Sequence, residues 1–248
     1  MTLSESPRAG HESLDVASRR QKAEKLRAIL ASEREMEGAT LLEIGVGSGV
    51  IAASLAESVG PKGRVSGVDV RDSRVDTGFD FVLTEGTTLP FEDGSFDIVV
   101  SNHVVEHVGE RSDQLGHLRE IARVLRDGGV AYLATPNRWT LIEPHFRLPF
   151  LSWLPRRLRT PYVRLARRDE RYDCEPLSRR ELLELCEAAG LEAADRTLDA
   201  IRLTTAIESV SAPARLVAEA PRAVHRMLLP VIPTHILILR KRGRPPQT

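Results

Sequence analysis

Thr40-Leu41-Leu42-Glu43-Ile44-Gly45-Val46-Gly47-Ser48-Gly49 reads as a buried strand running into a glycine turn. Leu41, Leu42 and Ile44 form a short apolar run, the pattern of a strand covered on both faces. Gly45, Gly47 and Gly49 remove side chains where the backbone must turn tightly. Val50 to Val59 then reads as a helix, stopped by Gly60-Pro61. A glycine turn between a strand and a helix lets a flat or charged ligand lie against bare backbone at a positive helix end.

The dinucleotide fingerprint is G-x-G-x-x-G; here the spacing is G-x-G-x-G, with Val50 where the dinucleotide version has its third glycine. Arg64-Val65-Ser66-Gly67-Val68-Asp69 is a second short strand, and Asp69 ends it. A carboxylate at that strand tip can accept both hydroxyls of a ribose.

Leu42 to Gly49 resembles motif I of the class I S-adenosylmethionine (SAM) dependent methyltransferases. Leu89-Pro90-Phe91-Glu92-Asp93-Gly94-Ser95-Phe96-Asp97-Ile98-Val99-Val100-Ser101-Asn102 resembles the corresponding segment of their type 11 branch, which includes ubiquinone and menaquinone biosynthesis enzymes. Val105-Glu106-His107-Val108 and Leu125-Arg126-Asp127-Gly128-Gly129 continue the likeness, which covers roughly residues 38–137.

The chain has 248 residues, enough for one sizeable α/β domain. Its 35 basic and 35 acidic residues cancel, so no global field argues for nucleic acid, and 4% aromatics leave few platforms for stacking bases. Cys174 and Cys186 lack metal-ligand spacing, and no metal is expected; a reducing, cytoplasmic setting suits them. The apolar stretch Met227 to Leu239 is interrupted by Pro230 and Pro233 and is too short to span a bilayer.

Residues 1–11 read as a disordered tail, 12–240 as one domain and 241–248 as a basic tail. Residues 12–37 predict one or two amphipathic helices ahead of the first strand. Only eight residues, Arg71 to Gly78, precede the strand at Phe79 to Leu83, too few for an ordinary crossover helix. Phe96 to Ser101 reads as a central parallel strand. A helix through Leu115, Leu118, Ile121 and Leu125, ended by Gly128-Gly129, leads to a strand over Val130 to Thr135. Ser178-Arg179-Arg180-Glu181 is a capping box opening another helix. Ala200 to Leu203 and His235 to Leu239 read as the last two strands. Strands alternating with helices give a Rossmann-like, doubly wound α/β fold in three layers. The resemblance adds a seven-stranded mixed sheet, its last strand antiparallel, with inserts at about 138–177 and 206–229.

The same resemblance implies SAM as cofactor. The glycine turn would receive its tail and ribose, Glu43 its ammonium and Asp69 the ribose hydroxyls. Glu85 and Gly86 would meet the adenine, and Asn102, His103 and His107 would line the methionine side. The reaction would be in-line displacement of the sulfonium methyl. A base helps where the acceptor is a hydroxyl, and His145, in the insert after the fifth strand, is the candidate. Oxygen is the expected methyl acceptor, on a small-molecule, lipid-linked or glycan-linked substrate. Trp139, Phe146, Phe150 and Trp153 stand beside Arg156, Arg157, Arg159, Arg164, Arg167, Arg168 and Arg171, so the 146–171 insert could lie at an anionic membrane or hold a phosphate-bearing acceptor, or pack as a lid. The alternatives are a SAM-binding module without catalysis, a nicotinamide-dependent oxidoreductase, which Val50 disfavours, and a nucleic-acid methyltransferase. Ser101-Asn102-His103-Val104 lacks the Pro-Pro-aromatic signature of base-amino methylation.

Overall fold

A computed structural model describes residues 16–169, 171–207, 218–221, 223–224, 227 and 229–243. The expected disordered tail at 1–11, most of the 206–229 insert and the last five residues lie outside them. In chain order, α1 (Val16–Ala31), β1 (Thr40–Ile44), α2 (Val50–Val59), β2 (Arg64–Asp69) and β3 (Asp80–Leu83) form the first half. They are followed by β4 (Phe96–Asn102), α3 (Arg111–Val124) and β5 (Leu125–Pro136). The insert holds β6 (Ile142–Glu143), β7 (Leu148–Pro149), a 3₁₀ turn and α4 (Arg156–Leu165). The chain then runs through α5 (Arg179–Ala188), β8 (Leu191–Asp195), α6 (Thr197–Ile207) and β9 (Thr234–Lys241).

Seven strands lie in the order β3-β2-β1-β4-β5-β9-β8. β1 to β5 are parallel, and β9 is antiparallel to both its neighbours. Alternate strand residues feed two cores, as the two-residue period requires. Leu41, Ile98, Val100, Tyr132 and Ile238 pack with α1, α2 and α6. Leu42, Val99, Leu133, Leu237 and Leu239 pack with α3 and α5 on the opposite face. The three layers follow from that alternation.

The last pair of strands differs from the sequence reading. Ala200 to Leu203 lies inside α6, and the penultimate strand is β8, paired with β9 through Ala193 and Leu239. A four-residue segment with three apolar residues fits a strand or a buried helical turn equally well. The Thr197 amide donates to Asp195 Oδ1 at 2.9 Å, the Thr197 hydroxyl holds the Ile236 amide at 3.0 Å, and Ala200 enters the core. These contacts start a helix there. Likewise α3 ends at Val124, before the double glycine. Phe96 pairs with Leu125 and Ile98 with Val130, so 126–129 bulge opposite Asp97. Gly129 has no room for a side chain there, because a Cβ would meet Asp97 O at 2.9 Å. Between β2 and β3 there is no helix at all; the Val75 and Asp76 amides dock on Ser48 O. The capping box at Ser178 and Glu181 is formed as read.

Candidate active site

The parallel strands β1, β2 and β4 end together, and a cavity of about 720 Å³ opens beyond their C-terminal ends. Gly45, Gly47, Asp69, Gly86, Asn102, His103, His107 and His145 all line it. Gly45 and Gly47 have φ of +74° and +50°, which an L side chain disfavours. At Gly45 a Cβ would also come within 2.5 Å of Val104 Cγ2. The bare turn is therefore required by both strain and space.

Asp69 pins that turn. Its Oδ2 accepts from the Gly47 amide at 2.9 Å, and its Oδ1 accepts from Val70 N at 2.7 Å. Glu43 is 2% exposed, and its Oε2 has no hydrogen-bond partner among the described residues. Burial pushes its carboxyl up to about 8; Arg19 and a hydrogen bond from the Ala52 amide oppose this, and the Asp69 charge adds to it. A buried polar atom left unpaired is costly. An acceptor without a donor, beside a turn that admits no side chains, fits a cofactor with an ammonium tail and a ribose.

Three expected residues stand outside the lining: Glu43, buried behind the turn, Gly49 and Glu85. Gly49 does not line the cavity: its missing side chain makes room for Asp76 O, which a Cβ would approach to 2.3 Å. Its role is to seat the helix-free 71–78 loop. Glu85 is exposed and outside the lining, while Thr84 and Gly86 on either side of it belong to the wall.

On the opposite wall three histidines meet. His103 has φ of +60°, a strained conformation for a residue with a Cβ, fixed by its amide on Ala134 O at 2.9 Å. His103 Nδ1 lies 3.1 Å from Glu106 Oε1, and the His107 and His145 rings stand 5.1 Å apart, edge to face. His145 Nδ1 is 2.8 Å from Glu143 Oε1, which fixes its ring and leaves Nε2 3.9 Å from Glu106 Oε1. Burial would lower the pKa of His145, but the hydrogen bond to Glu143 and the charges of Glu106, Glu143 and Asp173 outweigh it and raise it. Glu106 is fully buried yet held below the usual carboxylate range: burial opposes this, and the hydrogen bond and charge of His103, with His107 and His145, prevail.

Glu106, Glu143 and Cys174 belong to this group but were absent from the sequence-derived site. Glu143 carried a signal, two residues before His145. Cys174 carried none, because it reaches His107 across 67 positions, with Sγ 3.7 Å from Nδ1. The insert that delivers His145 has its own small core of Phe146, Leu148, Leu151, Val163, Tyr172 and Cys174. Arg159 is buried there, its Nε donating to Leu154 O at 2.9 Å and its guanidinium pairing with Glu175. It is a structural member of the arginine cluster. Arg157, Arg164, Arg167, Arg168 and Arg171 are exposed.

The methyltransferase-domain family matches residues 42–133, the stretch from β1 through the middle of β5. A demethylmenaquinone methyltransferase of Lactococcus lactis is 30% identical over 134 residues, covering 49% of this chain and 52% of that protein. A ubiquinone biosynthesis O-methyltransferase of Parvibaculum lavamentivorans is 28% identical over 134 residues, covering 50% and 51%. The chain thus spans about half the length of these curated relatives. A SAM-dependent methyltransferase structure from Methanosarcina mazei superposes with a TM-score of 0.56 at 17% identity, covering 87% of this chain and 98% of that one. Over residues 42–133, less than half of its length, the chain is similar to this methyltransferase-domain family.

Proposed function

We propose that this protein is a SAM-dependent methyltransferase acting on oxygen in a small-molecule or lipid-linked acceptor. One observation carries the reading: Gly45, Gly47 and the strand-tip carboxylate of Asp69 line one cavity, and behind that turn the buried Glu43 keeps Oε2 without a hydrogen-bond partner among the described residues. The turn would take the cofactor's tail against backbone. Glu43 would hold the ammonium, directly or through water, and Asp69 would take the ribose hydroxyls on the lone pairs its backbone contacts leave. Gly86 would meet the base, and Asn102, His103 and His107 would close the methionine side.

When bound, the cofactor supplies an electrophilic methyl group and a neutral thioether as leaving group. The chain's part is to align the acceptor with it, a contribution of up to about 7–11 kcal/mol in favourable cases. In such a transfer the acceptor oxygen would replace the thioether sulfur on the methyl carbon, and the chain would have to take up the acceptor's proton. His145, on the cavity lining, would take that proton; Glu143 holds its Nδ1 at 2.8 Å, and its Nε2 lies 3.9 Å from Glu106 Oε1. Proton transfer of this kind contributes about 10²–10⁴-fold, less than the alignment.

A surface feature supports a lipid-linked acceptor. Trp139, Leu141, Ile142, Phe150 and Trp153 are each at least 40% exposed, and Trp153 stacks edge-to-face on both Trp139 and Phe150. On α4, Leu158 and Leu165 point outward at 47% and 82% exposure, with exposed Arg157 and Arg164 beside them. An outward apolar stripe flanked by arginines suits the surface of an anionic bilayer. No described helix is long and apolar enough to cross a membrane. The test of the activity is incubation with methyl-labelled SAM and cell extract, followed by identification of the labelled product. An ether-linked methyl on a lipid or small molecule is expected; label on carbon, nitrogen, protein or nucleic acid, or no label, contradicts the proposal.

A further inference from the structure

We infer that His107, His145 and Cys174 form a binding site for one divalent transition-metal ion of the zinc type on the cavity wall. One donor atom from each of these residues lies within 4.8 Å of the other two. His107 Nδ1 and Cys174 Sγ are 3.7 Å apart. Neighbouring nitrogen and sulfur ligands of a tetrahedral zinc ion, with bonds of about 2.0–2.1 and 2.3 Å, stand about 3.6 Å apart. A mixed imidazole and thiolate donor set suits zinc or copper and does not suit magnesium or calcium.

The three residues come from separate segments, and the fold builds the convergence. The Glu175 amide donates to Glu106 O at 2.7 Å, which lays the 174 segment over the 103–107 turn. Buried Glu143 holds Nδ1 of His145 at 2.8 Å, the carboxylate–histidine arrangement that orients metal ligands. Fully buried Glu106, 3.9 Å from His145 Nε2, places negative charge beside the position of the ion. His107 and His145 line the cavity, so a fourth coordination position would face it. The use of the site rests on reading the cavity as the place of methyl transfer: an acceptor hydroxyl would coordinate there, and the ion would lower its pKa so that its proton passes to solvent water. His145 Nε2 would then be a ligand in place of a proton acceptor.

The test is titration of the chelator-treated full chain with Co²⁺, read by absorption, alongside calorimetry with SAM. One saturating equivalent is expected, with thiolate-to-cobalt absorption in the near ultraviolet and visible bands of tetrahedral strength. C174S is expected to abolish the near-ultraviolet band while keeping SAM affinity. H145Q is expected to weaken cobalt binding at least tenfold, and E143Q by about 10–100-fold. No saturable cobalt binding, or spectra and affinities unchanged in C174S and H145Q, would overturn the site. SAM binding without the cobalt signature sinks the metal site alone. The cobalt signature without SAM binding upholds the metal site and sinks the methyl-transfer reading.

Discussion

Glu43 couples the site to pH. Its folded pKa, pushed up to about 8 by burial, means that between pH 4.5 and 8 the folded chain holds a proton the unfolded chain has lost. Stability therefore falls as pH rises through that window. His117 and His235 act in the opposite sense: burial lowers both to about 4. Between pH 4 and 6.5 the unfolded chain binds their protons and the folded chain does not, so stability rises with pH. The balance places the maximum thermal midpoint near pH 6.5, and E43Q should flatten the decline above it, by an amount on the order of a few kcal/mol. A midpoint that climbs steadily to pH 8, or an E43Q profile identical to wild type, contradicts this. An ammonium arriving at Glu43 should also ionise it. The calorimetric enthalpy of SAM binding near pH 7 should then vary with the ionisation enthalpy of the buffer; equal enthalpies across buffers would argue against that contact.

Among the elements, β1 and β4 are held by Asp97, whose neighbours form a clamp. Its Oδ2 accepts from the Thr40 amide at 3.0 Å and the Thr40 hydroxyl at 2.8 Å, while Arg34 and Arg126 reach Oδ1 at 3.3 and 2.9 Å. Burial works to raise this carboxyl, but those hydrogen bonds and charges hold it below the usual range. Its contribution is present above the unfolded pKa and is lost as pH falls through the folded one. D97N should cost about 1–3 kcal/mol in denaturant unfolding at pH 7 while leaving SAM affinity within twofold; an unchanged midpoint would show the clamp to be idle. The Asp97 clamp also shows what a sequence hides. The strand–glycine–helix unit at 40–59 was legible because its periodicity, turn residues and stop signal agree. The strand at Leu191–Asp195 was not, because Glu192, Ala193 and Ala194 carry weak β preference, and pairing with β9 supplies what propensity lacks. Of the cluster, His103, His107 and His145 were legible one by one; Glu106 and Cys174 join them through contacts that no local pattern records.

At the scale of the whole molecule, the insert gives the sheet a second surface. Its apolar and arginine-bearing outer side should bind vesicles of anionic phospholipid in preference to neutral ones, and the binding should weaken as salt rises. The double variant F150S/L165E should reduce co-sedimentation several-fold without lowering the thermal midpoint, since both side chains are at least half exposed. Equal sedimentation with neutral and anionic vesicles, or no effect of the substitutions, would remove the membrane from the account. Topology was legible at this scale through the order of motifs along the chain, which places the glycine turn, Asp69 and Asn102 beyond adjacent strand ends.

The most direct measurement is calorimetric titration of the full chain with SAM, for wild type and D69N. One site is expected in the wild type, weakened about 10–100-fold in D69N, as loss of charge-assisted hydrogen bonds implies, with cooperative unfolding retained. Absence of binding in the wild type, or equal affinity in the two proteins, would contradict the claim that Asp69 and the bare turn beside it cradle the cofactor.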